Sequence, residues 1–317
     1  WSAGQEEAVG LGFGIGDYIW RFNYVAESPS VRPWPAEGLY FRDAKLVYRA
    51  AGESSVELRN LRVENLGDGR VLALPFAVAR GWETASETSE LLLRAQSMLL
   101  YPEPYAASFD FQRLRETGSD SNSDKVLAPG GTNVFTVLRN WRDRIATAPA
   151  YERVTTGLRD AFPTIAHALE FETAGRVVVG TFAPAKYQHR RIPPQDAPTG
   201  LLSWLLCATA VVGAPDGGLV AIDEPETALH PDAQRRLLRF IQEEARMRQL
   251  HVILTTHSTV LLNEYNEQPE LVWALTGEAN TVQPVPLRSA VDPAWLGQFA
   301  PGDLYATNNF APQPAKR

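Results

Sequence analysis

Apolar and polar positions follow two different patterns along the 317-residue chain. Short apolar runs between residues 9 and 76, separated by Gly, Pro, Asp and Asn, predict antiparallel strands. Helical spacing follows in the first half of 85–116, and the polar stretch GSDSNSDK at 118–125 indicates a boundary. We therefore expect an N-terminal β-rich lobe with a helical segment over 1–117, a second lobe over 126–307, and a tail over 308–317.

The second lobe carries helical and strand patterns in turn. Helical spacing occurs at 132–146, 151–162, 201–212 and 231–249. Strand patterns occur in a hairpin around Ala174 and Gly175 and in the continuous apolar runs LVAI at 219–222 and HVILTT at 251–256. Continuous apolar strands that alternate with helices are typical of an α/β fold with a mostly parallel sheet flanked by helices. In such sheets, ligands bind at the carboxyl ends of the strands.

Two carboxylates, Asp223 and Glu224, come directly after the strand pattern at 219–222. At the end of a buried strand, one carboxylate can hold Mg²⁺, usually through water, while its neighbour polarises an attacking water. The same pair can also be loop acids that cap the next turn. Nearby, Glu226 either supports Asp223 or faces solvent, and the pattern does not decide between these interpretations.

A histidine, His257, follows the second strand pattern in the same way. If the helix at 231–249 joins two neighbouring parallel strands, Glu224 and His257 lie at the same edge of the sheet. An imidazole there can form a hydrogen bond with a phosphate or with an attacking water. A single histidine after a strand is more often structural, but an acidic pair and a histidine at this spacing together indicate a nucleotide-hydrolysing site.

The stretches IDEPETALHP and ILTTHS resemble the Walker B, D-loop and switch-histidine series of ABC-type ATPases. The resemblance is to the SMC, RecF and OLD-like branch of these AAA-family ATPases, which includes many bacterial genome-maintenance and anti-phage ATPases. It covers 126–307, and the phrase FAPGDLY at 299–305 is similar to one that this branch often carries in its tail. The resemblance implies a P-loop NTPase-like ABC ATPase head that binds ATP and Mg²⁺ and forms a homodimer around them.

The resemblance also assigns roles to individual residues. By it, Asp223 is the Mg²⁺ ligand, Glu224 is the general base and His257 is the switch histidine. The D-loop, which contacts a second subunit in this family, would be formed by Ala228, Leu229 and His230.

The family's signature motif, Ser-x-Gly or LSGGQ at a helix start, is replaced here by DAPTG at 196–200. Thr199 offers a hydroxyl and Gly200 a closely approachable backbone N–H at a helix N-terminus. Both could therefore contact the γ-phosphate of a nucleotide held by a partner subunit. The alternative is a Pro-Thr-Gly turn in which Thr199 caps the helix.

A P-loop with the pattern GxxxxGK[ST] does not occur in these 317 residues. Its backbone N–H groups cradle the phosphates and its lysine reaches them, yet none of the four lysines, at positions 45, 125, 186 and 316, follows a glycine. In the family this loop lies near the N-terminus, so we expect an upstream segment that carries the first strand, the P-loop and its helix. The alternatives are a degenerate ATPase that no longer hydrolyses ATP and a site completed by another chain.

Composition adds only a few constraints. The net charge of −7 and the pI near 5.4 argue against a wholly basic nucleic-acid-binding protein, although a local basic patch remains compatible with DNA. The single cysteine, Cys207, lies in an apolar run and is expected to be a buried, inert thiol. No apolar stretch is long enough to span a bilayer, so we expect a cytoplasmic protein without a membrane partner.

The expected function is that of an ATP-hydrolysing switch that dimerises around ATP and Mg²⁺, in DNA repair or anti-phage defence. The short remainder after FAPGDLY leaves no room for the TOPRIM-type nuclease domain of OLD-like relatives, so a nuclease effector would be a separate protein. Two alternatives come from other classes of protein. One is a nucleotide-dead scaffold on the same fold, and the other is a metal-dependent nuclease that uses Asp223, Glu224 and Glu226.

Overall fold

The computed structural model describes the backbone and side chains over 109–307, apart from 188 and 276–283. For 276–278, 281–283 and the strands before residue 102, it describes the backbone. The chain forms two compact units, Trp1–Ser97 and Met98–Arg317. The predicted tail lies outside the described residues. The predicted helical segment after residue 85 also lies outside them, apart from residues 99–101.

In the described part of the first unit, six strands form one sheet in which every neighbouring pair is antiparallel. The strands are β1 (Ala8–Ile15), β2 (Tyr18–Val25), β3 (Trp34–Phe41), β4 (Ala44–Arg49), β5 (Val56–Leu58) and β6 (Leu61–Val63). Their order in the sheet is their order in the sequence, so each strand pairs with the next one along the chain. Short connections of this kind are sufficient for antiparallel pairs.

Helices occupy much of the second unit. They are α1 (Phe111–Thr117), α2 (Val134–Arg142), α3 (Ala148–Ala161), α4 (Thr199–Gly213), α5 (Pro231–Arg248), α6 (Thr259–Asn263), α7 (Leu287–Ala290), α8 (Pro293–Leu296) and α9 (Pro301–Ala306), with a 3₁₀ turn at Pro269–Leu271. No helix in the described part of the chain is long and apolar enough to cross a membrane.

The strands of the second unit form both parallel and antiparallel sheets. They are β7 (Leu99–Tyr101), β8 (Ser119–Asp120), β9 (Ala168–Ala174), β10 (Val177–Ala183), β11 (Leu219–Asp223), β12 (His251–Thr255), β13 (Trp273–Glu278) and β14 (Thr281–Pro286). β7, β11 and β12 form a parallel sheet with β11 in the centre. β8, β10 and β9 form an antiparallel sheet, and β13 pairs with β14. The fold is therefore mixed α/β, and the predicted strands at 219–222 and 251–256 are confirmed as parallel neighbours.

α4 lies at the centre of the core because apolar residues occur on all of its sides. Every residue from Gly200 to Val212 is buried, and Trp204 and Leu201 are among the largest fully buried side chains. A helix that is apolar on all sides belongs in the interior. α4 contacts α3, α5 and β11, and each fully buried aliphatic side chain contributes roughly 1.5–3 kcal/mol.

α5 is amphipathic and joins the two strands of the candidate site. Its buried face includes Leu237 and Ile241, whereas its exposed face is rich in arginine. Pro231 occupies its first turn, and Gln249 ends it in the left-handed conformation with φ 55°. Because α5 runs from the end of β11 to the start of β12 and these strands are parallel, their carboxyl ends lie at the same edge of the sheet.

Candidate functional site

The carboxyl ends of β11 and β12 form the candidate site. Asp223 and Thr255 are the last residues of these strands and are paired in register. The Thr255 hydroxyl donates a hydrogen bond to Oδ1 of Asp223. Because the Asp223 side chain is exposed, this hydrogen bond orients the carboxylate at the sheet edge without burying it.

Glu224 follows with an unusual backbone conformation. Its φ is 43°, in the left-handed region that non-glycine residues seldom occupy and that costs of order 1–3 kcal/mol. The backbone N–H of Glu224 donates to the carbonyl and hydroxyl oxygens of Thr255, both at 3.2 Å. These bonds hold the turn in a conformation that brings the carboxylate of Glu224 close to a residue after β12.

That residue is His257. Its Nε2 atom is 3.6 Å from Oε1 of Glu224, and the side chains of His257 and Glu224 are 73% and 49% exposed. On the other side of the ring, Nδ1 lies 2.6 Å from the Tyr305 hydroxyl. The structure thus brings the acidic pair and the histidine to one sheet edge, where the imidazole lies between a carboxylate and a phenol and remains open to solvent.

Glu226 connects the loops that follow the two strands. Its Oε1 atom accepts hydrogen bonds from the Thr256 hydroxyl at 2.6 Å and from the His257 N–H at 2.8 Å. Its Oε2 atom is buried and has no hydrogen-bond partner among the described residues. The sequence left open whether Glu226 supports Asp223 or faces solvent, and in the structure one of its carboxylate oxygens binds the loop after β12. No local pattern could have revealed this contact because it joins residues of two separate loops.

The residues that resemble a D-loop differ in exposure. Ala228 and His230 are exposed, whereas Leu229 is 7% exposed and packs in the main core. Ala228 is left-handed with φ 63°, and Nδ1 of His230 accepts a hydrogen bond from the Asp232 N–H at 3.3 Å. Leu229 therefore anchors this segment, and its two neighbours lie at the surface.

Gln234 of α5 ties the same segment to the loop after β12. Its Nε2 donates to the Leu229 carbonyl at 3.0 Å, and its Oε1 accepts from the Ser258 hydroxyl at 2.7 Å. The Ser258 hydroxyl in turn caps α6 by accepting from the Leu261 N–H at 3.3 Å. Together, Gln234 and Glu226 make the loops after β11 and β12 one hydrogen-bonded structure.

Thr199 and Gly200 lie at the N-terminus of α4, against the D-loop-like segment of the same chain. Gly200 is buried, and a Cβ atom at this position would overlap the carbonyl oxygen of Ala228. The Thr199 hydroxyl accepts a hydrogen bond from Nη2 of Arg115 at 2.8 Å, and the same nitrogen donates to the Ala197 carbonyl at 3.0 Å. Only glycine fits this contact, and Arg115 is a supporting residue that the sequence patterns did not indicate.

Asp223 offers one exposed carboxylate for a metal ion. Among the residues whose side chains the structure describes, no three His, Cys, Asp or Glu side chains are grouped closely enough to bind a metal by themselves. Mg²⁺ usually keeps several waters and takes one or two carboxylates together with substrate phosphates. The residues therefore fit a magnesium ion that is shared with a phosphate ligand.

Three exposed arginines of α5 are paired with acidic side chains. Arg235 and Arg239 lie 3.2 and 3.7 Å from Glu264, and Arg236 lies 2.8 Å from Asp232. The hydrogen bond from Arg236 lowers the pKa of Asp232 below its usual value. The charge of these three arginines is therefore partly offset by two carboxylates, which weakens the field that a nucleic-acid phosphate would meet here.

Solved structures that resemble the chain include heads of SMC proteins. The SMC head domain from Thermotoga maritima is 10% identical, with 86% of this chain and 74% of that chain covered and a TM-score of 0.37. An SMC head bound to the C-winged helix domain of ScpA is 11% identical, with 77% and 68% covered and a TM-score of 0.37.

One family of proteins matches part of the chain in sequence. Residues 186–263 match the family described as "AAA domain, putative AbiEii toxin, Type IV TA system". No curated protein matches. The matched segment contains Asp223, Glu224 and His257, and it confirms the predicted resemblance to AAA-family ATPases over 186–263.

Proposed function

We propose that the protein is an ABC/SMC-like switch ATPase that binds ATP and Mg²⁺ between two subunits and hydrolyses the ATP. The main support is the edge formed by β11 and β12, where Asp223, Glu224 and His257 are exposed and Nε2 of His257 lies 3.6 Å from Oε1 of Glu224. An acidic pair and an imidazole at the carboxyl ends of parallel strands suit the hydrolysis of a bound nucleotide.

Each residue of this edge has a role that suits its position. Asp223, oriented by Thr255, would hold Mg²⁺, which supplies charge neutralisation at the phosphates when it is bound. Glu224 accepts a proton from the attacking water, and general-base catalysis of this kind contributes about 10²–10⁴-fold. His257 donates a hydrogen bond from Nε2 to the terminal phosphate or to the water.

A second copy of the chain completes the site in this proposal. Thr199 and Gly200 contact the γ-phosphate of the nucleotide held by the partner subunit, and Ala228, Leu229 and His230 form the segment at the interface. Gly200 packs closely on the Ala228 carbonyl of the same chain, so the N-terminus of α4 and the interface segment adjoin within one subunit. Since Leu229 is buried, the exposed Ala228 and His230 make the contacts between subunits.

The proposed setting is DNA repair or anti-phage defence in the cytoplasm, with a separate effector protein such as a nuclease. This setting rests on the resemblance to the SMC, RecF and OLD-like branch. The net charge of −7 and the ion pairs formed by Arg235, Arg236 and Arg239 do not favour DNA binding by this face of α5. Contacts with nucleic acid would therefore be made by the effector or by a local patch elsewhere.

The proposed hydrolysis requires a phosphate-binding loop that residues 1–317 do not contain. The decisive variant is Glu224→Gln in the full-length protein, because an amide cannot accept the proton of the attacking water. We expect ATP binding to be retained, hydrolysis to fall by about 10²–10⁴-fold, and the ATP-bound dimer to accumulate. Calorimetry, phosphate release and light scattering measure the three quantities.

Glu243→Gln is the matched control, since it removes a carboxylate from the exposed part of α5 and leaves the sheet edge intact. We expect this variant to bind and hydrolyse ATP as the unmodified protein does. Normal hydrolysis by the Glu224→Gln protein would exclude Glu224 as the base.

A nucleotide-dead scaffold on the same fold is the second candidate. Residues 1–317 contain no GxxxxGK[ST], and the two candidates differ in whether the full-length protein supplies this loop. ATP binding by the full-length protein distinguishes the two candidates, because a scaffold of this kind binds no nucleotide whereas the switch ATPase requires it.

A further inference from the structure

The residue that contacts His257 from the side opposite Glu224 is Tyr305. Its hydroxyl lies 2.6 Å from Nδ1 of His257, and the two ring centroids are 6.2 Å apart. We propose that Tyr305 is a positioning residue that fixes the orientation and the tautomer of His257, so that Nε2 carries the proton and faces the nucleotide. This inference rests on the proposed function in that the proton on Nε2 serves ATP hydrolysis.

The two neighbours of the imidazole favour the same tautomer. A carboxylate such as Glu224 only accepts hydrogen bonds, so an imidazole whose Nε2 lies 3.6 Å away is stabilised when that nitrogen carries a proton. In the neutral ring, Nδ1 is then an acceptor, and the Tyr305 hydroxyl donates to it. The opposite tautomer would direct a lone pair of Nε2 at the carboxylate.

The position of Tyr305 is set by the packing of α9 on α6. The Gly302 N–H donates to Oδ1 of Asn263 at 2.7 Å, and a Cβ atom at Gly302 would overlap the Thr259 carbonyl oxygen. Leu304 is buried in a small cluster with Leu262 of α6. These contacts leave α9 little freedom, and Tyr305 is therefore held where its hydroxyl meets the ring.

α6, on which the helix of Tyr305 packs, is continuous with the loop that carries His257. α6 begins directly after His257, with Ser258 as its N-cap. The backbone of His257 is fixed by Glu226, so both the main chain and Nδ1 of the ring are held while Nε2 stays at the open edge. A ring held in this way meets a phosphate oxygen or a water without first losing rotational freedom.

Tyr305→Phe removes the hydroxyl and keeps the ring. In the full-length protein, we expect kcat for ATP hydrolysis to fall by about 3- to 10-fold, the loss typical of one hydrogen bond, with KM for ATP unchanged. Nitrogen NMR of ¹⁵N-histidine-labelled protein at about pH 8, where an ordinary imidazole is neutral, reports the tautomer of His257. The signal is assigned by its loss in His257→Ala, and we expect it to change from the Nε2–H form to a mixture of tautomers in Tyr305→Phe.

Tyr265→Phe is the matched control because Tyr265 packs against the same small cluster as Tyr305. We expect it to change neither kcat nor the His257 signal. An unchanged His257 tautomer in Tyr305→Phe would overturn the inference, whether or not kcat falls. If the full-length protein with Tyr305 intact hydrolyses no ATP, the proposed function fails, and the NMR measurement still decides the role of Tyr305.

Discussion

Glu226 holds the backbone of His257 in place although it does not contact the open edge of the site. Its Oε1 atom accepts from the His257 N–H and from the Thr256 hydroxyl. Alanine would leave both donors without this acceptor, and one hydrogen bond contributes about 0.5–1.5 kcal/mol net. We expect Glu226→Ala to lower the free energy of unfolding by about 1–2 kcal/mol and to slow ATP hydrolysis by the full-length protein. Urea denaturation and phosphate release measure these effects.

Glu226→Gln is the appropriate comparison because its amide oxygen, at the same distance from the backbone, still accepts the two hydrogen bonds. We expect this variant to keep most of the stability and most of the hydrolysis. Equal losses in the alanine and glutamine variants would show that the charge of Glu226, rather than its two hydrogen bonds, matters at this position.

At the residue scale, the sequence indicated the side chains that follow strands but not the ones that hold them. Asp223 and His257 were recognisable because each comes after a continuous apolar run, and the ends of parallel strands meet at one edge. The contacts of Glu226 and Tyr305 depend on where separate loops and helices pack. Such contacts have no periodicity in the sequence, and only the structure reveals them.

At the element scale, the strongly patterned elements were predictable to within one or two residues. The helix predicted at 231–249 is observed as Pro231–Arg248, and the helix predicted at 201–212 is observed as Thr199–Gly213. The helix predicted at 132–146 is shorter, Val134–Arg142. The apolar Ile145 extended the pattern, yet it is 97% exposed and follows the end of the helix. One apolar residue in a turn was enough to lengthen the prediction.

The contact between α4 and the D-loop-like segment can be tested with two glycines of the same helix. A methyl group at Gly200 would overlap the Ala228 carbonyl, whereas one at Gly213 would meet the ring of Trp141 at an ordinary distance of 3.4 Å. We expect Gly200→Ala to lower the free energy of unfolding by about 1–3 kcal/mol, as overpacking does, and Gly213→Ala to be neutral or slightly stabilising. Urea denaturation of both variants makes the comparison.

An equal stability of the two alanine variants would show that the segment around Ala228 moves away at little cost. In that case the packing of Gly200 would not couple the helix N-terminus to the proposed subunit interface. A selective loss in Gly200→Ala would instead show that the two surfaces are rigidly joined.

At the scale of the whole molecule, the second unit is built around one large core whose centre is α4. The core joins α2, α3, α4 and α5 with β11, and Cys207 is fully buried within it. Burial, with a smaller contribution from the carboxylate of Glu226, raises the pKa of the Cys207 thiol to about 12 from an ordinary value of 9.0. The stability that this protonated thiol contributes is therefore present below pH 9 and is lost as the pH rises towards 12.

Because Cys207 is the only cysteine in the sequence, its reactivity reports the opening of this core. The thiolate is the reactive form, and a pKa of about 12 in place of 9.0 lowers the thiolate fraction at pH 8 by roughly 10³-fold. Burial slows the reaction further because the reagent cannot reach the sulfur. We expect a thiol reagent at pH 8 to label the native protein at least roughly 10³-fold more slowly than the urea-unfolded protein. The native rate should rise with urea at concentrations that open the core. Rapid labelling in the absence of urea would show that α4 is exposed in solution, which is incompatible with its position at the centre of the core.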